Sequence, residues 1–268
     1  MQRRKGVQKL KNKGCIANFG VLILIMIITL HSINYANAEN RDDSIFQTSI
    51  FDALVEGVYE GDLTYGELKK HGDFGLGTFN HLDGEMVALD GVFYRIDSEG
   101  LVSVVEDSWK SPFAIVTFFD ANEKLIPDAK LSCKELMAYI ESALPTKNIF
   151  YAIKVSGKFD RMKTRSVHAQ EKPFPPLSAV VKEQSEFELK DINGTIVAYW
   201  LPGYIEGLSQ AGFHFHFISE DKQSGGHVLE CKINDVTVEI DNIRGFAVEI
   251  PDTEKFNKVD LTKSGNKE

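Results

Sequence analysis

The sequence predicts an α+β fold, with two strand-rich halves, mixed β-sheets, few helices, and a metal site on a β-hairpin of the second half. Three observations carry this. Short runs rich in Val, Ile, Phe and Tyr, separated by Asp-Gly and Glu-Gly pairs, recur along the chain. Few segments combine helical periodicity with caps. Finally, Gly212-Phe213-His214-Phe215-His216-Phe217-Ile218, with His227 following, places three of the seven histidines within fourteen residues.

Arg3, Arg4, Lys5, Lys9, Lys11 and Lys13 precede an apolar run centred on residues 21–30, and Ala36-Asn37-Ala38 precedes Glu39. A basic head, an apolar stretch and a small-x-small triplet predict a signal peptide over residues 1–38, cleaved after Ala38. The protein is then exported, with no membrane association once the signal is gone. The alternative, an uncleaved anchor, meets an apolar run that is short for a span. Cys15 lies before that run, which argues against a lipoprotein site.

The whole chain has 30 Lys+Arg and 39 Asp+Glu. The signal segment holds six of the basic residues and none of the acidic ones, so the rest carries 24 against 39, a net charge of −15. Such an acidic chain is a poor nucleic-acid binder. Roughly 230 residues suffice for one large domain or two small ones. We place the division at residues 39–175, an N-terminal α+β domain, and 176–268, a C-terminal β-rich zinc-binding domain and tail, with the join near residues 170–185.

Residues 44–59 read as an amphipathic helix with Ile45, Ile50, Phe51, Leu54, Val55 and Val58 as its stripe. Gly61 and Asp62 break it. Residues 63–70 form a short helix capped by Thr64, with Glu67 at the capping-box position. Residues 74–105 form a meander of strands turning at Asp83-Gly84, Asp90-Gly91 and Glu99-Gly100. The apolar run 113–119 is a central strand. Residues 132–144 form a helix with Ser132 and Glu135 as a capping box and Pro145 as its stop. A strand follows over 150–158, then a polar, proline-bearing stretch over 170–176 and a helix over 177–184. Residues 192–200, 212–218, 228–233, 236–240 and 245–250 read as strands, and 253–268 as a polar tail.

Strand side chains alternate faces, so His214 and His216 point the same way. The polar stretch 219–226 ends in Gly225-Gly226 and predicts a hairpin loop that returns His227 beside them. Three imidazoles on one face match the open arrangement of catalytic zinc, three protein ligands plus a free position. The bland alternative is a set of hydrogen-bonded sheet histidines. Glu85 enters an apolar run directly after a turn, where a buried carboxylate needs a partner or a metal; the alternative is a solvent-facing edge position. Asp83 is explained as a turn residue with Gly84. Arg161, Lys163 and Arg165 share one strand face, either to hold an anionic substrate or as a solvated edge. Cys133 and Cys231 are one candidate pair rather than a framework. Cys231, an even spacing from His227, is a candidate ligand, although a buried apolar role is favoured.

Several motifs together resemble the α-acetolactate decarboxylase family. They are Gly75-Leu76-Gly77-Thr78-Phe79-Asn80-His81-Leu82-Asp83-Gly84-Glu85-Met86, Leu89-Asp90-Gly91-Val92-Phe93-Tyr94, Lys163-Thr164-Arg165-Ser166-Val167, Gln170-Glu171-Lys172-Pro173, Gly194-Thr195-Ile196-Val197, and the His214–His216 strand with Ser224-Gly225-Gly226-His227-Val228. They keep their order across nearly all of the chain after residue 38. The resemblance implies a zinc enzyme that converts (S)-2-acetolactate to (R)-acetoin and CO2 in the acetoin and butanediol pathway. It implies His214, His216 and His227 as ligands of Zn2+, Glu85 and Arg165 as catalytic residues, and Thr78 as a substrate-binding residue. The family's further C-terminal glutamate lies near a Glu-Gly pair, whereas here Ser264 precedes Gly265. Glu268 or Asp260 supplies that carboxylate, or it is missing. The partner implied is a small 2-hydroxy-3-keto acid; a homodimer is left open.

Two other readings compete. In a cupin-type metalloenzyme, Glu220 would join His214 and His216 as a ligand, but no second cupin motif follows. A non-catalytic exported module would use the basic row to bind anions and need no metal.

Overall fold

The computed structural model describes residues 43–262. The expected signal segment and Glu268 lie outside the described residues. The chain from Asp43 onward forms one compact unit. Its strands are β1 (Ser44–Thr48), β2 (Phe74–Thr78), β3 (Glu85–Leu89), β4 (Val92–Ile96), β5 (Val102–Val104), β6 (Phe113–Thr117), β7 (Glu123–Leu125), β8 (Phe150–Ser166), β9 (Ser185–Leu201), β10 (Gly212–Ser219), β11 (Gly225–Ile243) and β12 (Gly245–Glu249).

Two sheets result. The first runs β12-β1-β6-β2-β3-β4-β5, with β1 and β12 parallel and the remaining pairs antiparallel. The second runs β10-β9-β8-β11-β7 and is antiparallel throughout; β10 also pairs with β11, so four strands close into a ring. The α+β class with mixed sheets and few helices is therefore what the chain adopts.

Alternation along the strands sorts the apolar side chains into three layers. One lies between the sheets, with Leu76, Val87 and Ile115 from the first meeting Ala152, Val197 and Ile218 from the second. One lies inside the second sheet, where Phe159, Phe215 and Phe217 pack with Leu136 and Ile140 of the helix Cys133–Ala143. The third covers the outer face of the first sheet, with Tyr65, Phe79, Met86 and Phe93.

Several elements depart from expectation. Residues 44–59 do not form one helix: the first part is β1 and only Phe51–Val55 is helical. β1 occupies an interior slot between β6 and β12, where backbone pairing on both sides outweighs helical periodicity. Ser49, at φ 64°, separates the two elements. β8 runs to Ser166 rather than stopping near residue 158. The two strands expected over 228–240 are one, because β11 absorbs Asn234-Asp235 in a bulge. β7, short and polar, was not anticipated. The helices capped by Thr64 and Ser132 both carry complete capping boxes.

The domain boundary expected at residue 175 falls inside the compact unit. β8 and β9 flank it in sequence and pair along nearly their whole lengths. Each sheet also draws strands from both sides of it, β12 joining the first and β7 and β8 the second.

Candidate metal centre

The site lies between the two sheets. β10 presents His214 and His216 to the intersheet side and buries Phe215 and Phe217 on the other. The tight return through Gly225 and Gly226 sets His227 directly opposite His216. Gly226 has φ 128°, and a Cβ there would lie 2.4 Å from the Arg165 carbonyl oxygen, so no other residue fits beside His227. Across the next ladder His227 faces Arg165. The register therefore lines up His216, His227 and Arg165 on three neighbouring strands.

The first sheet supplies the opposite wall. Thr78 and Glu85 are partners across the β2–β3 hairpin. Gly84, at φ 101°, lies so close to Ile96 that a Cβ would be 2.4 Å from its carbonyl oxygen. The Thr78 hydroxyl donates to the Gly84 carbonyl at 2.7 Å, which fixes the corner from which Glu85 projects.

One ligand nitrogen from each of the three histidines lies within 4.8 Å of the others. His214 Nε2 is 3.2 Å from His227 Nδ1. His216 Nδ1 lies 2.7 Å from the Met86 carbonyl oxygen, to which it must donate, since a carbonyl only accepts. Its Nε2 is then left without a proton in the neutral ring, buried and without a hydrogen-bond partner. The Glu85 Oε2 lies 3.5 Å from that nitrogen, and its Oε1 accepts from Arg165 Nη1 at 2.9 Å.

Electrostatics keep the imidazoles neutral. Burial pushes His214 and His227 well below the ordinary histidine range, helped by neighbouring histidines and the Arg165 guanidinium. Burial also lowers His216, although Glu85 and the Met86 carbonyl oppose it. Neutral imidazoles converging with one orphaned nitrogen are the donor set that a tetrahedral N-ligated cation such as zinc requires. A small cavity, about 70 Å³, opens beside them. Its polar side is made by Thr78, Glu85, Arg165 and the three histidines.

Thus all six of these expected site residues meet at one cavity. Thr78 enters with its hydroxyl hydrogen already committed to Gly84, so towards a ligand it can only accept. Glu268 lies outside the described residues. Asp260 is exposed, bonds to the Thr262 backbone and hydroxyl, and does not line the cavity.

The basic row does not act as a unit. Arg161 pairs with Glu188 at 2.6 Å and Glu230 at 3.2 Å, and Lys163 pairs with Glu186 at 2.7 Å. Only Arg165 turns to the site. Glu220 is an exposed hairpin residue away from the histidine cluster, so the cupin ligand set is not assembled.

Cys231 is neither a ligand nor a free buried thiol. It forms a disulfide with Cys133. The even spacing from His227 misleads because the β11 register shifts between Val228 and Glu230. That bulge reverses the alternation, and Cys231 packs into the second sheet's interior.

Sequence reasoning missed Gln210, which lines the cavity from the β9–β10 loop, and the Met86 carbonyl that orients His216. Gln210 stands four residues before His214, and that proximity was the one available signal. A backbone carbonyl leaves none.

Comparison with known proteins follows the same lines. The family described as "Alpha-acetolactate decarboxylase" matches residues 45–263. An alpha-acetolactate decarboxylase of Methylococcus capsulatus is 44% identical over 225 residues, covering 84% of this chain and 86% of that one. One from Brevibacillus brevis is 44% identical over 219 residues, covering 82% and 77%. The crystal structure of alpha-acetolactate decarboxylase from Bacillus subtilis strain 168 superposes with a TM-score of 0.80 at 41% identity, covering 82% of this chain and 94% of that one.

Proposed function

The chain belongs to the alpha-acetolactate decarboxylase family, and from that premise we propose that His214, His216 and His227 hold one zinc ion beside which (S)-2-acetolactate becomes (R)-acetoin and CO2. The chain is an acetolactate decarboxylase, a carboxy-lyase acting on a small molecule. The zinc reading rests on His216, whose Nδ1 is occupied by the Met86 carbonyl while its buried Nε2 has no partner beside two further neutral imidazoles.

The reaction breaks the bond between the carboxylate carbon and the hydroxyl-bearing carbon. The electron pair enters the bond to the ketone carbon, and negative charge accumulates on the ketone oxygen as CO2 leaves. Bound zinc supplies Lewis-acid stabilisation of that charge. A proton then adds to the hydroxyl-bearing carbon in place of the lost carboxylate and fixes its chirality.

Arg165 holds the substrate carboxylate with its planar fork, and afterwards keeps a positive charge near the enediolate. Glu85 is anchored to Arg165 through Oε1. Its other oxygen orients the substrate hydroxyl or passes a proton to the reacting carbon. Phe51, Leu54, Leu82, Phe113, Val167 and Leu177 form the apolar wall that keeps water from the enediolate.

Export with cleavage after Ala38 belongs to the same proposal. The basic head, apolar run and AxA triplet support it, and the Cys133–Cys231 disulfide suits an oxidising compartment. Mass spectrometry of the secreted protein checks it: a mature chain beginning at Glu39 is expected, and an intact segment 1–38 would refute it.

The central experiment measures acetoin from racemic 2-acetolactate before and after metal removal. We expect the activity to disappear with the metal and to return on adding zinc. Full activity in metal-free protein would end the zinc reading.

A further inference from the structure

The corner that carries Glu85 is clamped from the far side of its own sheet. Arg95 stands on β4 opposite Met86. It lies on the outer face with Phe93, away from the cavity, with its guanidinium 5.9 Å from the Trp109 ring. From there the side chain reaches round the end of the hairpin. Its Nε donates to the Asp83 carbonyl at 2.6 Å, and Nη2 donates to the Asp83 carboxylate. The Arg95 side chain is mostly shielded from solvent while the Asp83 carboxylate is 44% exposed, so the pair is partly solvated and its weight lies in geometry rather than in charge.

What the clamp holds is short and dense in function. Asp83 is followed by Gly84, whose carbonyl takes the Thr78 hydroxyl. Glu85 comes next, bound to Arg165, and then Met86, whose carbonyl fixes the His216 ring. The four residues 83–86 thus set both the Arg165–Glu85 pair and the His216 tautomer. Gly84, with no Cβ, is the most permissive backbone position among them. The Thr78 hydroxyl pins Gly84 itself, and the Arg95 fork pins the residue before it through two bonds at once.

We propose that Arg95 is a positioning residue for the decarboxylation, acting through the Asp83-Gly84 turn to hold Glu85 and the Met86 carbonyl in register with Arg165 and His216. It touches neither the cavity nor the reacting atoms. The proposal rests on the functional reading above. The Asp83 of the Asp-Gly pair is then a clamp point as well as a turn former.

The test compares Arg95→Ala, Arg95→Lys, Asp83→Ala and the double alanine variant, using the full mature chain loaded with zinc. A small misplacement of a catalytic group costs about 10–100-fold, so kcat is expected to fall at least about tenfold in Arg95→Ala. KM and zinc content should stay near wild-type. Lysine has no fork and should not restore kcat. Asp83→Ala removes only the carboxylate half of the clamp and should cause a smaller loss, and the double variant should be no worse than Arg95→Ala, which already removes both bonds. Added guanidinium ion should recover part of the rate in Arg95→Ala and none in wild-type.

Hydrogen exchange over residues 83–89 provides a readout independent of the reaction. Exchange should rise in Arg95→Ala while the helix Cys133–Ala143 exchanges as in wild-type. If the wild-type makes no acetoin, the functional reading fails but the exchange result still decides the clamp. Wild-type kcat in Arg95→Ala, unchanged exchange over 83–89, or additive losses in the double variant would each overturn the proposal.

Discussion

Arg165 stands directly across the β8–β11 ladder from His227, so one sheet face carries both the site's cation and an imidazole of the histidine cluster. This placement has two consequences. The guanidinium helps to hold His227 and His214 in their neutral form, second to burial in the first case. It also meets Glu85 from the other sheet, and so ties the two walls of the cavity together.

Arg165→Lys should lower turnover by about two orders of magnitude or more, since lysine cannot reproduce a bidentate fork. Zinc content should remain near one per chain, because Arg165 is not a ligand. Arg161→Ala and Lys163→Ala should be much milder, since their charges are already met by Glu188, Glu230 and Glu186. Steady-state kinetics with elemental analysis checks all three. Equal losses at the three positions would contradict this assignment.

His216→Ala should lose zinc and activity together. The variant removes the orphaned Nε2 and also leaves the Met86 carbonyl without its donor. Full zinc occupancy in the purified variant would show that the metal sits elsewhere.

Cys133→Ser should destabilise the fold by about 2–5 kcal/mol, the usual effect of losing a native disulfide. The bridge spans 98 residues of chain and fastens the helix Cys133–Ala143 to β11. Zinc content measured below the melting temperature should be unchanged, because Cys231 lies on the face away from the histidines. Cys231→Ser should likewise keep its zinc, and loss of zinc from that folded variant would restore Cys231 as a ligand.

Asp241→Asn should stabilise the protein at neutral pH. Burial pushes the Asp241 carboxyl up to about 6, reinforced by Asp43, Asp120 and Asp73 against the opposing Asp120 N–H. In the unfolded chain the group titrates near the ordinary aspartate value of 3.8. The folded state therefore holds the proton more tightly, and wild-type stability is lost as pH rises through about 6. Asparagine keeps an oxygen for the Asp120 N–H and carries no charge. The gain, up to about 3 kcal/mol from a shift of about two pK units, should be full above pH 7 and absent below pH 4. Thermal melts of both proteins across that range test it, and a gain independent of pH would refute it.

Much of the site was legible in the sequence because its geometry is local. His214 and His216 share a face through strand alternation alone, and the Gly225-Gly226 return fixes His227 within a hairpin. The capping boxes at Thr64 and Ser132 are likewise local, since each needs only residues three apart. The ordered motifs around Thr78, Glu85 and Arg165 marked the remaining site residues through family resemblance.

Tertiary structure decided whatever depends on long-range pairing. Residues 44–48 have a sequence compatible with a helix, yet they are a strand because β6 and β12 offer backbone partners on both sides. The contact between Glu85 and Arg165 joins residues 80 apart and exists only because the two sheets stack. Cys231 changed faces through a bulge that no periodicity reveals. The Met86 carbonyl that meets His216 and the Asp83 carbonyl that meets Arg95 are backbone groups, which every residue carries, so only their placement in space distinguishes them.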